Sequence, residues 1–362
     1  MASLLRRLPW FARPWKPLTF SNPNFTRIPL PEKIEEELLP DYVASRYYPV
    51  RIGEVLRDRY QIVGKLGFGA SSTVWLARDL DGRRHVALKL FVNSKAMGSQ
   101  LDHELTMYKR IAALRRLPAP VLSFVLHRLF LALDFLHTEC KIIHTDIKAD
   151  NIMFGIGDDS VFTAFEEQEL LDPSPRKVVG DRAIYLSREL QMPKTWGAPV
   201  LCDFGSAVSG DIEHMEDIQP NIYRAPEVIL EAPWSYQVDV WNTGCMIWDL
   251  FEGGHLFTGH DPEHHLYRSR AHLAEMIALL GKPPQTLLRS GKASQRFFTD
   301  QGDFHAEISL PQSMSLEEKE TTLDGEGQKK FLTMMRTMLQ WDPSKRSSPK
   351  ELAKDDWIMG HM

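Results

Sequence analysis

The sequence predicts an α+β fold in which a β-rich part precedes a larger helical part. Residues Tyr60–Leu66 and Thr73–Arg78 alternate between apolar and polar side chains, as half-buried strands do, and Val86–Leu90 continues as a third strand. By contrast, Val121–His137 is a long, helix-like apolar run. A polar stretch that follows this run, His144–Asn151, is the part around which the rest of the chain is organised.

Length and composition are those of a globular chain. The 362 residues can bury a large core, and 43% hydrophobic with 25% charged residues excludes a disordered chain. The net charge is −5 and the basic residues are scattered, so we expect no direct binding of nucleic acid. The apolar run Val121–His137 carries charged residues, which favours a core helix over a membrane span.

The three cysteines, Cys140, Cys202 and Cys245, lie far apart and lack the spacing of metal ligands. This usage is typical of a reduced, intracellular protein, so we expect the cytoplasm, the nucleus or both. Residues 1–50 form a first segment that is basic and has no acidic residue before Glu32. A transit peptide is one reading, but its prolines would interrupt an amphipathic helix. We expect a loosely packed extension with a short helix at Lys33–Leu39.

Between the first two predicted strands lies a glycine-containing loop. Two glycines two residues apart let backbone amides approach a phosphate without obstruction by side chains. A lone Gly-x-Gly also fits an ordinary hairpin. The loop consists of Gly67, Phe68, Gly69, Ala70 and Ser71, and Val74 follows it.

A lysine in the interior of the third predicted strand is unusual, because a buried ammonium group needs a partner. Lys89 is flanked by Leu88 and Leu90. The expected partner is Glu104, on a predicted helix at Leu101–Ala113. The alternative is that Lys89 faces solvent from the surface of the strand.

In the stretch His144–Asn151, Asp146 is followed by Lys148 two residues later and by Asn151 three residues further on. This is the spacing of a phosphoryl-transfer catalytic loop. In that chemistry the Asp orients the attacking hydroxyl, the Lys neutralises the transferring phosphate and the Asn holds a metal ion. Taken alone, the stretch also fits a polar turn.

With these motifs in order, the chain resembles the eukaryotic protein kinases from about Tyr60 to Ile358. The resemblance implies a two-lobed kinase fold, ATP and Mg²⁺, and Ser/Thr phosphorylation of protein substrates. The further motifs that carry it are Leu201–Gly205 with Asp203, Tyr223–Glu227, Asp239–Gly244, and Trp341–Pro343 with Arg346. Arg346 is expected to form a buried ion pair with Glu227.

The resemblance also implies a role for each residue in the site. Asp146 and Lys148 would be catalytic, while Asn151 and Asp203 would hold Mg²⁺. The other predicted site residues would bind ATP. The three residues that would lie next to adenine are equally plausible as ordinary core residues. The loop Gly67–Val74 would cover the phosphates, Lys89 held by Glu104 would grip the α and β groups, and Val74, Ala87 and Met153 would sandwich the adenine.

Within this superfamily the chain is most similar to the SR-protein-specific kinases. Thr145 stands where most kinases have Arg, and a long insert separates Asn151 from Asp203. This insert, residues 155–197, is expected to be a mobile spacer. Residues 264–282 lie where that subfamily carries a substrate-docking insert. Without the Arg, the catalytic loop lacks the positive charge that a phosphate on the activation segment would neutralise, so constitutive activity is expected. The resemblance to this subfamily also implies Arg/Ser-rich substrates.

One departure from the kinase pattern is large. A kinase needs two more strands, an adenine-binding hinge and a further helix before its C-lobe, but only Leu114–Pro120 separates Ala113 from Val121. The sequence therefore predicts an N-lobe at 51–117, truncated to three strands, and a helical C-lobe at 118–362. Either the chain derives from an incomplete gene model or splice form, or it is a kinase-like protein with impaired nucleotide binding.

Two function classes follow. The first is a monomeric Ser/Thr protein kinase that does not bind membranes. The second is a pseudokinase or truncated isoform that acts as a non-catalytic binding module. A small-molecule or lipid kinase has no support, because the Ala225-Pro226-Glu227 motif belongs to protein kinases.

Overall fold

The computed structural model describes residues 14–40, 42–69, 72–92 and 116–362. The chain divides into two compact units: unit 1 comprises residues 1–104 and 156–196, and unit 2 comprises residues 105–155 and 197–362. The predicted insert therefore belongs to the sheet-containing unit and not to the helical one. This replaces the predicted boundaries, which placed residues 155–197 in the C-lobe.

The described residues form short and long elements of both types. The strands are β1 (Val55–Leu56), β2 (Tyr60–Phe68), β3 (Ser72–Asp79), β4 (Arg84–Phe91), β5 (Ile142–Ile143), β6 (Ile152–Ile156), β7 (Arg176–Val179), β8 (Arg182–Tyr185), β9 (Trp196–Leu201), β10 (Val208–Ser209), β11 (His260–Asp261) and β12 (Leu266–Tyr267). The α-helices are α1 (Ala119–Phe135), α2 (Ser160–Leu171), α3 (Pro226–Ile229), α4 (Gln237–Glu252), α5 (Ser269–Leu280), α6 (Gln285–Ser290), α7 (Leu316–Lys319), α8 (Gly325–Met338), α9 (Pro349–Leu352) and α10 (Asp356–Met359).

Unit 1 is built on an antiparallel sheet of order β1-β2-β3-β4. Its three long strands are those that the alternation predicted, and the two-residue strand β1 is added at one edge. The amide of Gly69 donates to the carbonyl of Ser72 over 2.8 Å, which closes the turn between β2 and β3. The predicted helix at Leu101–Ala113 lies outside the described residues.

The insert is folded onto this sheet, so the prediction of a mobile spacer is wrong. Phe165 of α2 is 2% exposed and lies over Gly64 of β2, where an added Cβ would come within 2.6 Å of the Phe165 ring. Tyr185 of β8 packs edge-on against Trp75 of β3, with ring centroids 5.7 Å apart. The physical reason is that a small sheet cannot bury its apolar faces alone and needs packed neighbours.

The N-terminal extension is also integrated into unit 1, contrary to the expectation of loose packing. The Gln61 side chain accepts from the Leu18 amide over 2.8 Å and donates to the Leu18 carbonyl over 2.7 Å. The Trp15 amide donates to the carbonyl of Leu80 over 2.8 Å. The predicted short helix is present as a 3-10 helix at Glu35–Leu38.

Unit 2 is helical and its core contains α1 and α4. Helix α1 follows Pro118 and runs into a π-helical turn at Leu136–Cys140. By length and composition, Ala119–Cys140 could cross a membrane. However, the Leu122, Leu126 and Phe130 side chains of α1 are fully buried in the core of unit 2, as expected of a core helix.

The predicted ion pair between Glu227 and Arg346 is confirmed. Both residues are buried, and the two guanidinium nitrogens of Arg346 donate to the two carboxylate oxygens of Glu227 over 2.6 and 2.7 Å. Arg346 also donates to the Gln237 carbonyl over 2.9 Å and lies 5.0 Å from the centre of the Trp241 ring. The pair therefore joins α3, α4 and the segment after α8.

Candidate active site

The predicted site residues divide between the two units. Unit 1 holds the glycine loop and the strand residues, whereas unit 2 holds the catalytic loop and Asp203. Ala70, Ser71 and Glu104 lie outside the described residues.

In unit 2 the three predicted catalytic-loop side chains lie together. The Lys148 ammonium is 2.9 Å from the Asp146 carboxylate. The Asn151 side-chain nitrogen donates to that carboxylate over 3.0 Å and to the Asp146 carbonyl over 2.8 Å. The loop therefore presents a carboxylate with a fixed orientation, beside a cation.

Two residues that the sequence analysis did not assign to the site hold this loop in place. Asp239, at the start of α4, accepts from the amides of His144 and Thr145, each over 2.8 Å. Asn242 accepts from the Ile147 amide over 3.0 Å and donates to the Ile147 carbonyl over 2.7 Å. The sequence did contain an indication of this role, because Asp239 and Asn242 are two polar residues in an apolar stretch. Polar groups that are buried in such a stretch need hydrogen-bond partners.

Thr145, the residue that replaces the usual Arg, has a specific contact. Its backbone has a positive φ of 67°, a conformation that is uncommon for a non-glycine residue and that persists only when its surroundings fix it. Its hydroxyl donates to the carbonyl of Ser206 over 2.9 Å. The catalytic loop is thus bonded directly to the start of the activation segment, without a phosphate.

Asp203 and Asn151 offer the oxygen ligands that Mg²⁺ prefers. The Asn151 nitrogen donates to Asp146, which leaves the amide oxygen of Asn151 as the atom for a metal. Asp203 is exposed and has a left-handed backbone, with φ 63° and ψ 72°, and its carboxylate accepts from the Gly205 amide over 3.3 Å. The donor set of the two residues therefore fits the ion.

Two further residues of unit 2, Asp150 and Met153, lie close to Asn151 in sequence. Burial raises the pKa of Asp150, which lies next to Asn151, a predicted metal ligand, and the nearby Lys148 opposes the shift. Met153, predicted to contact adenine, is 58% exposed on β6, so the reading of Met153 as a core residue is excluded.

In unit 1 the glycines of the loop have space around them. A Cβ added to Gly67 or Gly69 would meet no described atom within 4 Å. Neither glycine has the positive φ that would explain the residue choice by backbone conformation. Gly67 follows an irregularity in the register of β2 with β3, where glycine is common. The open space also leaves room for a group that approaches the backbone, as a phosphate does.

Three predicted ATP-contacting residues share one face of the sheet. Val74 of β3 and Lys89 of β4 are directly opposite in the register. Ala87 lies two residues before Lys89 on the same strand and so on the same face. Helix α2 covers this face where Phe162 stacks on His85, at a centroid distance of 4.9 Å, while Ala87 and Lys89 are exposed.

The expectation of a buried Lys89 is therefore wrong, and its predicted partner Glu104 lies outside the described residues. The lysine of this sheet that is fully buried is Lys65 of β2, which the sequence analysis did not select. Helix α2 contacts β4 at His85. Lys89 lies four residues further along the same strand, where its side chain is exposed. The available signal for Lys65 was a lysine in the apolar strand Tyr60–Leu66.

Comparison with known proteins identifies the arrangement. A family model described as protein kinase domain matches residues 190–358. A serine/threonine protein kinase of Aspergillus fumigatus is 40% identical over 96% of each chain. A serine/threonine-protein kinase SRPK of Physarum polycephalum is 26% identical over 88% of this chain and 90% of its own. SRSF protein kinase 3 of Mus musculus is 24% identical over 90% of each.

The Aspergillus alignment extends over 393 positions, more than the 362 residues of this chain, so that relative carries segments without a counterpart here. The family model matches only from residue 190, which lies beyond the catalytic loop and within the insert. The motifs, the geometry of the catalytic loop and the 40% identity all indicate the same family. The chain belongs to the eukaryotic protein kinases, and it is a serine/threonine protein kinase similar to the SR-protein kinases.

Proposed function

We propose that the chain transfers the γ-phosphoryl group of ATP to Ser or Thr of basic, Arg/Ser-rich protein substrates. The observation that carries the proposal is the joint geometry of Asp146, Lys148 and Asn151, held by the buried side chains of Asp239 and Asn242. Phosphoryl transfer needs positioning and charge stabilisation more than covalent chemistry, and this loop supplies both.

Each side chain has one task in the proposed reaction. Asp146 accepts the hydrogen bond of the substrate hydroxyl and orients its oxygen towards the phosphorus. Lys148 places a positive charge beside the phosphoryl group as it moves. Asn151 and Asp203 would hold Mg²⁺, which neutralises charge on the phosphate oxygens when it is bound.

The preference for basic substrates is supported by the charge of the activation segment. From Ala207 to Tyr223 the sequence has no Lys or Arg, and its four carboxylates are all exposed: Asp211, Glu213, Glu216 and Asp217. Arg224, which follows, pairs with Asp217 over 3.0 Å, so the segment keeps a net negative charge from the other three carboxylates. Strand β10 of this segment pairs with β5, directly before the catalytic loop, so the acidic, solvent-facing segment lies near that loop. Such a segment attracts a positively charged peptide.

Radiolabel transfer to an Arg-Ser peptide tests the proposal. Asp146→Asn should lower kcat by about 100-fold or more, since it removes the positioned acceptor. Asp172→Asn, which changes an exposed carboxylate of the insert, is the control and should match the wild type. Glu216→Gln together with Asp217→Asn should raise KM for the Arg-Ser peptide while KM for ATP is unchanged. Equal activity of Asp146→Asn and the wild type would contradict the assignment.

A second candidate function is a non-catalytic binding module, and a specific observation favours it. In unit 2, an apolar groove of about 230 Å³ lies between α1, β6 and β9 and includes Leu129, Val200 and Phe204. Phe124, Leu131 and Phe135 of α1 are exposed in the described structure. Monomers seldom expose large apolar patches. An exposed apolar surface on α1 agrees with the expected lack of a hinge segment between Ala113 and Val121.

Thermal unfolding with and without Mg·ADP separates the two candidates, because a ligand that binds only the folded protein raises the midpoint. We expect a small rise for this chain. A version with the corresponding Aspergillus segment inserted between Ala113 and Val121 should show a larger one, since it restores adenine contacts. If the restored form transfers no more label than its own Asp146→Asn variant, the binding-module function is preferred.

We further propose that the chain acts as a monomer in the cytoplasm or the nucleus, without binding membranes or nucleic acid. Cys140, Cys202 and Cys245 are free, which supports a reducing compartment. The buried face of α1 supports a helix that belongs to a protein core.

A further inference from the structure

The fully buried lysine of β2 lies at the base of the glycine loop. Lys65 precedes Gly67 by two residues, and its Nζ lies 5.2 Å from the centre of the Phe68 ring, the residue between the two loop glycines. A cation at this distance from an aromatic ring attracts it. The Lys65 side chain therefore contacts the loop from within unit 1.

The charge of Lys65 is balanced by the N-terminal extension. Its ammonium donates to the Glu36 carboxylate and lies 3.2 Å from the Glu35 carboxylate. All three side chains are at least nine-tenths buried. The ammonium also donates to the carbonyl of Tyr185 in the insert over 3.3 Å, but the two glutamates supply the opposite charge. A buried ammonium is retained only when its charge is compensated, so the conformation of Lys65 depends on these two glutamates.

The segment that bears the glutamates is itself fixed. Glu35 has a positive φ of 52°, a backbone conformation that is uncommon for a residue with a side chain. It is held there by the insert, because its carboxylate accepts from the amide and the hydroxyl of Ser187 over 3.0 and 2.7 Å. The insert also contacts β2 directly, since the Arg188 amide donates to the Lys65 carbonyl over 2.8 Å.

We infer that Glu35 and Glu36 are positioning residues for nucleotide binding: they hold the Lys65 ammonium under Phe68 and thereby fix the backbone of the glycine loop. The inference rests on the proposed function, in which the amides of Gly67 and Gly69 receive the phosphates. In this role the N-terminal extension of unit 1 tunes the affinity for Mg-nucleotide without contacting the nucleotide.

A neighbouring ion pair provides a matched control. Glu37, next in sequence, binds Lys177 of the insert over 2.9 Å, and this pair is buried to a similar extent. It belongs to the same 3-10 helix and contacts β7 instead of the glycine loop. Glu36→Gln and Glu37→Gln therefore remove the same charge from the same helix.

Hydrogen exchange of the full chain decides the inference without relying on activity. In Glu36→Gln, the amides of residues 66–69 should exchange about tenfold faster than in the wild type, whereas Glu37→Gln should leave them unchanged. Mg·ADP should bind about tenfold more weakly to Glu36→Gln than to Glu37→Gln, at similar melting temperatures of the two variants. Equal exchange in the loop of both variants would overturn the inference.

Lys65→Met combined with Glu36→Gln is the second variant, because it leaves no unpaired buried cation. It should also accelerate exchange at residues 66–69, and wild-type exchange there would overturn the inference. If the wild type binds no Mg·ADP, the proposed nucleotide function fails, while the exchange comparison still decides whether the glutamates fix the loop.

Discussion

The two loops assigned to phosphate chemistry are held in different ways. The catalytic loop of unit 2 is anchored by Asp239 and Asn242, which lie within one turn of a single buried helix. The glycine loop of unit 1 is supported at Lys65 by two separate segments, the extension with Glu36 and the insert with Arg188. The first anchor is part of a large core, whereas the second depends on peripheral segments.

The cores of the units show the same contrast. Unit 2 has one large cluster of buried side chains that is formed by its own helices. The described residues of unit 1 form two small clusters, and each contains a residue from the insert, Tyr185 in one and Phe165 in the other. Since small cores are marginally stable, unit 1 should be the more sensitive to changes far from its sheet.

The largest effect is expected from replacing Asp158–Pro193 with a glycine-serine linker. Unit 1 should lose its cooperative unfolding, because Phe165 and Tyr185 leave both of its clusters. Unit 2 should remain folded. Hydrogen exchange of β2–β4 and of α4 measures the two outcomes separately. Protection of β2–β4 that survived the replacement would show that the insert does not stabilise the sheet.

Arg346→Ala tests the anchoring of unit 2. It should lower the free energy of unfolding by about 3–5 kcal/mol, because it leaves the Glu227 carboxylate buried without its partner. Arg336→Ala is the control, since its pair with Glu317 is about half exposed and should contribute about 0–1 kcal/mol. Denaturant unfolding gives both values, and similar losses for the two variants would contradict the contrast.

Phe165→Ala tests one contact of the insert. It should lower the free energy of unfolding of unit 1 by about 3–5 kcal/mol, because it leaves a cavity beside Gly64. The loss should be near the lower value if Gly64 and its neighbours relax into that cavity. Leu171→Ala, on the same helix but 80% exposed, should change stability little. The measurement is hydrogen exchange of β2 and β3, and equal protection in the two variants would show that Phe165 does not anchor the helix.

The smallest effect concerns pH in unit 2. Hydrogen bonding to Asp249 raises the pKa of His255 above its usual 6.5, so the stability from this pair is fully present below pH 6.5 and is lost as pH rises through the folded-state pKa. The melting temperature of the wild type minus that of His255→Gln should therefore be larger at pH 5.5 than at pH 8.5. His264→Gln, at an exposed site, is the control. A pH-independent difference for His255→Gln would exclude the effect.

Strands β2–β4, helix α1 and the motifs around Asp146 and Asp203 were predictable from the sequence alone. These features are local: strand alternation repeats every two residues, and the catalytic loop places three side chains within six positions. The ion pair of Glu227 with Arg346 was also predictable, because the kinase resemblance assigned both residues.

The sequence did not predict which lysine of the sheet is buried or which unit contains the insert. Both depend on contacts between distant segments, such as Lys65 with Glu36 and Phe165 with Gly64. The alternation around Lys89 and Lys65 is similar, so strand period alone does not distinguish them. What distinguishes them is which part of the sheet other segments cover, and the free energy of that burial is set by the packed chain as a whole.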